Sequence, residues 1–167
     1  MTWRSGTTEI SDKLLGSLPY LLPLFDAVTV GGALFKLIAN FPVLAPVGEV
    51  LLILATPVMV AYSLLPFGLG SLAVFFALFL LVVRNENISR FIRFNTLQAI
   101  LIGFIISIGR LVLSLLTVPG LDLITDTFYN VLLFGGLAVV GYSIVQCLMG
   151  RYSEIPTISE AVHMQIR

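Results

Sequence analysis

The chain has 167 residues, of which 58% are hydrophobic and 11% charged, and its formal net charge is zero. Soluble domains carry about 25% charged residues, and a chain of this length cannot bury so much apolar surface in water. The composition therefore excludes a soluble enzyme and predicts an integral membrane protein whose main partner is the lipid bilayer. Nine scattered basic residues against nine acidic ones indicate no nucleic-acid surface.

The N-terminal region, residues 1–42, is predicted to be interfacial. Its beginning has neither the apolar core of a signal peptide nor the composition of a transit peptide, so the spans themselves are expected to direct membrane insertion. Apolar residues then recur at helical spacing for about 12 residues before Asp26 and two adjacent glycines interrupt the pattern. A span needs about 20 apolar residues, so residues 14–39 are expected to lie on the membrane or to re-enter it, with a fifth span as the alternative.

Four later stretches are long and apolar enough to cross a hydrocarbon core of about 30 Å. They cover residues 43–63, 67–83, 94–118 and 124–149, and most prolines and glycines fall between them. Pro57 is the one proline well inside a stretch, where a kink is expected. Because the connections are short, the sequence predicts an all-α bundle of four transmembrane helices, residues 43–149, in a single membrane domain.

Basic residues in the connections orient this bundle. They precede the first stretch, lie between the second and third, and follow the fourth: Lys36, Arg84, Arg90, Arg93, Arg151 and Arg167. The other two connections contain neither lysine nor arginine. The positive-inside rule then predicts that both termini and the arginine-bearing connection lie on the same, cytoplasmic-type side.

The third stretch carries small and polar residues along one face. At 100° per residue they fall within an arc of about 80°. They are Thr96, Ala99, Gly103, Ser107, Arg110, Ser114 and Thr117. Close helix packing is the simpler explanation, because small residues let backbones approach. The alternative is a wall that faces a hydrated path or a translocating substrate.

Arg110 is an intramembrane charge, which is costly unless it faces protein or water. Asp126, near the start of the fourth helix, lies at a similar predicted depth and is the expected partner, with Asp122 as the alternative. A structural clamp is the simpler role for the Arg110–Asp126 pair, and contact with a substrate is the other. Glu49 should lie near the opposite face of the membrane, at the depth of Asn95 and Gln98.

The sequence contains no Ser-His-Asp set, HExxH motif, P-loop or dinucleotide fingerprint, so no catalytic, cofactor or metal site is predicted. The only histidine, His163, lies in the C-terminal tail, residues 150–167. There Thr157 and Glu160 form a candidate capping box, and an apolar stripe follows at helical spacing. The tail is therefore predicted to hold a short helix on the membrane surface.

Three segments, spread along the chain, carry a family resemblance. They are Leu18–Asp26 (LPYLLPLFD), Val83–Ile102 (VRNENISRFIRFNTLQAILI) and Tyr152–Ile166 (YSEIPTISEAVHMQI). The most specific residues are Arg90, Phe91, Arg93, Phe94, Asn95, Gln98 and Ala99. Together the segments resemble the small multi-span channel subunit of the translocon at the inner envelope of chloroplasts. That subunit is the twenty-kilodalton component of the TIC complex, with cyanobacterial and plastid-encoded relatives.

The resemblance implies four membrane helices and a role in moving unfolded preproteins across the plastid inner envelope or the equivalent cyanobacterial membrane. Helices packed about 8–10 Å apart leave no lumen for a polypeptide, so conduction would need a homo-oligomer or other translocon subunits. In this family an acidic residue often follows the QA block, where this chain has Gly103. A structural or assembly subunit of a larger membrane complex is the alternative function.

Overall fold

The computed structural model describes residues 9–38, 40–116 and 122–166, which form α-helices joined by short turns. The helices are α1 (Ile10–Ser17), α2 (Leu21–Val30), α3 (Gly32–Ile38), α4 (Ala45–Ser63), α5 (Leu69–Leu78), α6 (Arg90–Leu115), α7 (Asp122–Leu148) and α8 (Ile158–Gln165). Short 3₁₀ turns occur at Leu18–Tyr20 and Pro66–Gly68, and a π-helical turn, Phe79–Val83, continues α5. The predicted all-α class is confirmed for these residues.

Five helical segments, rather than the predicted four, are long and apolar enough to cross a membrane. Four of them correspond to the predicted stretches: Ala45–Ser63, Pro66–Val83, Arg90–Leu115 and Asp122–Leu148. The fifth is the N-terminal helix, Ile10–Val30, in which α1 and α2 continue through the 3₁₀ turn between them. The structure therefore has five candidate spans and not the four that the sequence favoured, as in the alternative that counted a fifth span.

The N-terminal helix is packed inside the bundle, so its predicted interfacial placement is not confirmed. Half of its apolar window is buried, and α2 contacts α4, α6 and α7. Tyr20 and Ala27 are fully buried. The prediction ended the apolar run at Asp26, but the helix continues to Val30 because the Asp26 side chain is accommodated against Gly103 of α6.

Both described ends of the chain lie at the same end of the bundle. Gly16 of α1 lies against Phe91 at the start of α6 and Cys147 at the end of α7. Tyr152, just after α7, packs edge-on against the same Phe91 ring. Length and composition alone do not set how many of the five segments cross the bilayer. Which side of the membrane holds the termini stays a prediction.

The backbones of α4 and α5 are in close contact near the turn that joins them. Gly68 has a φ of +75°, a left-handed conformation that glycine adopts at little cost. Two residues later, a methyl group on Gly70 would overlap the backbone carbonyl of Tyr62. Glycine at position 70 therefore allows the backbones of α4 and α5 to approach each other closely.

The C-terminal helix α8 forms where it was predicted, but its apolar stripe faces protein. Val162 and Ile166 are buried in a cluster with Phe94, Leu97 and Ile100 of α6. The N-cap residue, Thr157, makes no side-chain capping hydrogen bond. Packing against α6, rather than a capping box or the membrane surface, is therefore the visible support of this helix.

Candidate functional site: a charged cavity beside a buried polar network

A cavity of about 430 Å³ lies between the N-terminal helix, the α4–α5 hairpin and α6. We call it the charged cavity. Its polar lining residues are Asp26, Thr29, Tyr62, Ser71, Ser107 and Arg110, and its apolar ones include Leu22, Phe25, Leu72, Phe75 and Phe104. Thr29, Ser107 and Arg110 are exposed, so the cavity opens to the outer surface of the described bundle.

Asp26 and Arg110 bring opposite charges to the charged cavity. Both side chains line it, one from the N-terminal helix and one from α6. The Asp26 carboxylate lies at the α6 backbone, and one of its oxygens would be 3.0 Å from a Cβ atom at position 103. The absence of a side chain at Gly103 therefore makes room for this carboxylate. An acidic group does occupy the neighbourhood in which the resemblance expects one, but it comes from the N-terminal helix.

Phe25 and Tyr62 form one wall of the same cavity. Their rings meet edge to face, with centroids 5.3 Å apart and an interplanar angle of 83°. This arrangement is the one that aromatic quadrupoles favour. The contact joins α2 to the end of α4 beside Asp26, so the carboxylate is held between an aromatic pair and the α6 backbone.

The predicted polar face of α6 divides between two environments. Ala99, Gly103, Ser107 and Arg110 line the charged cavity. Thr96 is fully buried and donates its hydroxyl to the Ile92 carbonyl, 2.8 Å away. Ser114 is exposed and donates to the Leu111 carbonyl at 2.7 Å, whereas Thr117 lies outside the described residues. The middle of this face therefore contributes to the cavity, and its two ends bond to their own helix.

The proposed partner of Arg110, Asp126, is not among the cavity-lining residues, and neither is Asp122. Both are exposed near the start of α7. The carboxylate that shares the cavity with Arg110 belongs to Asp26. The Arg110–Asp126 pair stays a prediction, and sequence reasoning missed Asp26 because its segment was placed outside the bundle.

The signature residues build a separate, closed site. We call this the signature network: Tyr20, Asn95, Gln98, Ser153 and Ser159. The Tyr20 hydroxyl donates to Asn95 Oδ1 at 2.9 Å and lies 3.2 Å from Ser153 Oγ. Gln98 Nε2 and Ser159 Oγ both donate to the Ser153 carbonyl, each at 3.0 Å. Residues from all three resembling segments therefore meet at one buried point.

The side chains of Asn95 and Gln98 face this network rather than Glu49. Asn95 Nδ2 donates to the Phe91 carbonyl at 2.8 Å, so both the oxygen and the nitrogen of the Asn95 amide are hydrogen-bonded. Both side chains are 0% exposed, whereas Glu49 is exposed on α4. Burying amides costs free energy unless they are hydrogen-bonded, so these bonds fix where the N-terminal helix and the C-terminal tail join α6.

Beside the signature network, aromatic rings pack in the direction of α8. Phe94 lies between Tyr152, at a centroid distance of 4.8 Å, and His163, at 4.9 Å. Burial raises the pKa of Tyr152 above its ordinary value, partly offset by the nearby positive charge of Arg90. A Tyr152 that stays neutral can remain inside this aromatic layer. His163 therefore has a packing partner in Phe94.

Two signature arginines donate hydrogen bonds to backbone carbonyl groups of other segments. Arg90 Nη2 donates to the Ile166 carbonyl at 3.3 Å, and Arg93 Nε donates to the Val83 carbonyl at 2.9 Å. The first bond reaches the end of α8, and the second reaches the end of the π-helical turn. The signature block thus ties the tail and the preceding span to the start of α6.

Metal-binding side chains do not gather in the part of the chain that the structure describes. No three of its His, Cys, Asp and Glu residues are arranged so that they could hold an ion. Cys147 is buried, and its thiol donates to the Lys13 carbonyl at 3.5 Å. The charged cavity offers the opposite charges of Asp26 and Arg110 and the hydroxyl groups of Thr29 and Ser107.

Comparison with known proteins identifies relatives of this chain. Residues 9–162 match the family model described as "Chloroplast import apparatus Tic20-like". A Tic20 family protein of Synechocystis sp. is 41% identical, over 98% of this chain and 98% of that protein. The Tic20 family protein Ycf60 of Porphyra purpurea is 32% identical, over 95% and 77%. Protein TIC 20-v, chloroplastic, of Arabidopsis thaliana is 27% identical, over 96% and 73%.

These matches include both sites. The matched residues contain the first two resembling segments in full and most of the third. The similarity to the Synechocystis protein runs over nearly the whole of both chains, so it is not confined to the hydrophobic spans. The chain belongs to the Tic20-like family of the chloroplast import apparatus.

Proposed function

We propose that this protein is a membrane subunit of a protein-conducting translocon, and that the charged cavity is its contact with an unfolded polypeptide. The family is one of import-apparatus proteins, and five helical segments are apolar enough to lie in a bilayer. The membrane would be the plastid inner envelope or its cyanobacterial equivalent. The predicted stromal or cytoplasmic position of both termini belongs to this proposal.

The charged cavity is the observation that carries it. Gly103 lies about 20 Å from Arg90 along the helix axis, at 1.5 Å per residue. Asp26, which lies against Gly103, is therefore well inside the membrane-spanning part of α6, where polar and ionisable groups are expensive and usually face protein or water. A cavity that holds Asp26, Arg110, Ser107 and Thr29 offers hydrogen bonds to a peptide backbone at a depth where lipid offers none.

One copy supplies a wall and not a complete pore. The residues around the cavity on its inner side, such as Ala99 and Ile106, are buried against neighbouring helices. Ser107 and Arg110 face outward. A conducting path would therefore be completed by a second copy or by another translocon subunit placed against this opening.

Site-specific photocrosslinking tests the proposal. A photoreactive amino acid at Ser107 would face the charged cavity, whereas the same group at Ile108, the next residue, is turned by about 100°. Ile108 is 60% exposed and does not line the cavity, so it is a matched control on the apolar surface. With a preprotein arrested in transit across native membranes, Ser107 should capture the preprotein and Ile108 should not.

Two results would contradict this proposal. One is capture of only neighbouring helices or subunits from Ser107, although the arrested preprotein is present. The other is equal capture of the preprotein from both positions, which would indicate passive proximity and not a defined wall.

A structural or assembly role is the second candidate. Only 17% of the apolar window of α4 and 11% of that of Pro66–Val83 is buried. The remaining apolar faces could pack against helices of a larger complex as well as against lipid. A purified complex of fixed stoichiometry, with no preprotein captured from Ser107, would favour this role.

A further inference from the structure

A second polar cavity lies at the opposite end of α6 from Arg110. Its volume is about 380 Å³. We call it the arginine cavity. Its lining consists of Phe79, Val83, Arg84, Glu86, Arg93, Met164 and Gln165. These residues contribute two guanidinium groups and one carboxylate, so the lining has a surplus of one positive charge.

Arg93 is held in place within this cavity. Its Nε group donates to the Val83 carbonyl at 2.9 Å. That carbonyl belongs to the last turn of a helix, where carbonyl groups lack a partner within the helix. The turn is π-helical, with the Arg84 amide bonded to the Phe79 carbonyl at 3.0 Å. Turns of this kind are frequent at functional sites.

The cavity also lies at the edge of the hydrocarbon region. The segment Pro66–Val83 has 18 residues. At 1.5 Å per residue it spans about 27 Å, close to the hydrocarbon thickness of a bilayer. Phe79 and Val83 therefore line the cavity on the apolar side, and Arg84 lies just beyond the end of the span. The lining changes from apolar to cationic at the depth where a phospholipid changes from acyl chain to headgroup.

We propose that the arginine cavity binds the phosphodiester headgroup of an anionic membrane lipid. A phosphodiester carries one negative charge, which matches the surplus charge of the lining. Arginine guanidinium groups bind phosphate oxygens through directed, charge-assisted hydrogen bonds. The apolar residues Phe79 and Val83 would contact the glycerol ester and the first part of an acyl chain. A free phosphate ion offers the charge but no group that would fill this apolar part.

Native mass spectrometry of the full-length protein, released from detergent micelles, tests the proposal. Phosphatidylglycerol and phosphatidylcholine with identical acyl chains are supplied together, and the lipid retained is counted. The wild-type protein should retain phosphatidylglycerol preferentially. Arg84→Gln keeps the Arg93 bond to Val83 and should lower that preference about fivefold, the effect of one basic residue near a membrane surface. Arg151→Gln removes an equal charge outside the cavity and should leave the preference unchanged.

Several outcomes would overturn the proposal. Equal retention of both lipids by the wild-type protein would show that the charge of the headgroup does not affect binding. Equal losses in Arg84→Gln and Arg151→Gln would indicate a general effect of net charge. Displacement of phosphatidylglycerol by millimolar inorganic phosphate would indicate a site for a free anion, and displacement by a glutamate-rich peptide would indicate a protein partner. An unchanged unfolding temperature in Arg84→Gln ensures that any loss is a loss of binding.

Discussion

The signature network and the charged cavity use the same helix, α6, in opposite ways. Near its start, Asn95 and Gln98 are fully buried and hydrogen-bonded to residues of distant segments. One to three turns later, Gly103, Ser107 and Arg110 line an open cavity that also contains Asp26. The most specific motif of the sequence therefore maintains the fold, whereas the less conspicuous small and polar face presents chemistry to whatever approaches from outside.

This contrast has a consequence for experiments on the protein. Substitutions in the signature network should destabilise the protein and lower activity only through loss of folded molecules. Substitutions in the charged cavity should alter contact with a polypeptide while leaving stability almost unchanged. Four comparisons within the chain test this division, in order of decreasing expected effect.

The largest effect is expected from Phe94→Ala. Phe94 is 1% exposed and packs against Tyr152 and His163. Removing a buried phenylalanine side chain costs about 3–5 kcal/mol, and the cavity it leaves should loosen the C-terminal tail. Phe104→Ala, on the same helix, is the matched control. Phe104 is 45% exposed, so its loss should cost only about 1–2 kcal/mol.

Unfolding titrations of the purified variants in mixed micelles measure the difference between the two phenylalanines. Proteolysis should also cleave the tail of Phe94→Ala first, because α8 loses its contact with α6. If both variants lost the same stability, the proposed difference between the closed and open parts of α6 would be refuted.

A smaller effect, about 1–2 kcal/mol, is expected from breaking the bond between Tyr20 and Asn95. Asn95→Leu removes the acceptor of the Tyr20 hydroxyl at a fully buried position, and Tyr20→Phe removes the donor. The double variant should lose less stability than the sum of the single ones, because each single change already removes the shared bond. Strictly additive losses in unfolding titrations would show that the two residues act independently.

The limits of sequence reasoning follow from these same contacts. The apolar runs of α4 to α7 depend on local composition, so the predicted stretches correspond to the observed helices. The packing of the N-terminal helix inside the bundle was not predicted, because Asp26 has the appearance of an interruption until Gly103, on another helix, is seen beside it. The composition of one segment does not predict a contact with another helix.

The role of the signature could not be read from a single sequence for the same reason. Tyr20 and Asn95 are 75 positions apart, and Tyr20 and Ser153 are 133 positions apart. The resemblance identified all three segments but gave no sign that they touch. Depth along the helices suggested Asp126 as the partner of Arg110, because Asp26 had already been assigned to a segment outside the bundle. Asp26 stands in an apolar run, as Arg110 does, and a charge in such a run was the signal that could have found the cavity.

The paired charges of the charged cavity should matter more for function than for stability. Arg110 is exposed, and opposite charges at exposed positions contribute below about 1 kcal/mol. Arg110→Gln and Asp26→Asn should therefore unfold near the wild-type midpoint, yet lower the crosslinking of an arrested preprotein from Ser107 severalfold. Glu49→Gln, which removes an exposed charge outside the cavity, should change neither measurement. Loss of folding without a selective loss of crosslinking would identify the pair as structural.

The smallest effect, and the finest test of the contact between the two helices, is the contrast between Gly103→Ala and Gly135→Ala. Replacing glycine by alanine inside a helix normally stabilises it by about 0.5–1 kcal/mol. At Gly135 nothing lies within 4 Å of the added methyl group, so the full gain is expected. At Gly103 the methyl group would lie 3.0 Å from the Asp26 carboxylate, which must turn aside. Gly103→Ala should therefore gain less stability than Gly135→Ala in unfolding titrations, and in an Asp26→Ala background the two gains should become equal. Equal gains at both glycines would mean that the Asp26 side chain does not lie against α6, and the charged cavity would then lose one of its walls.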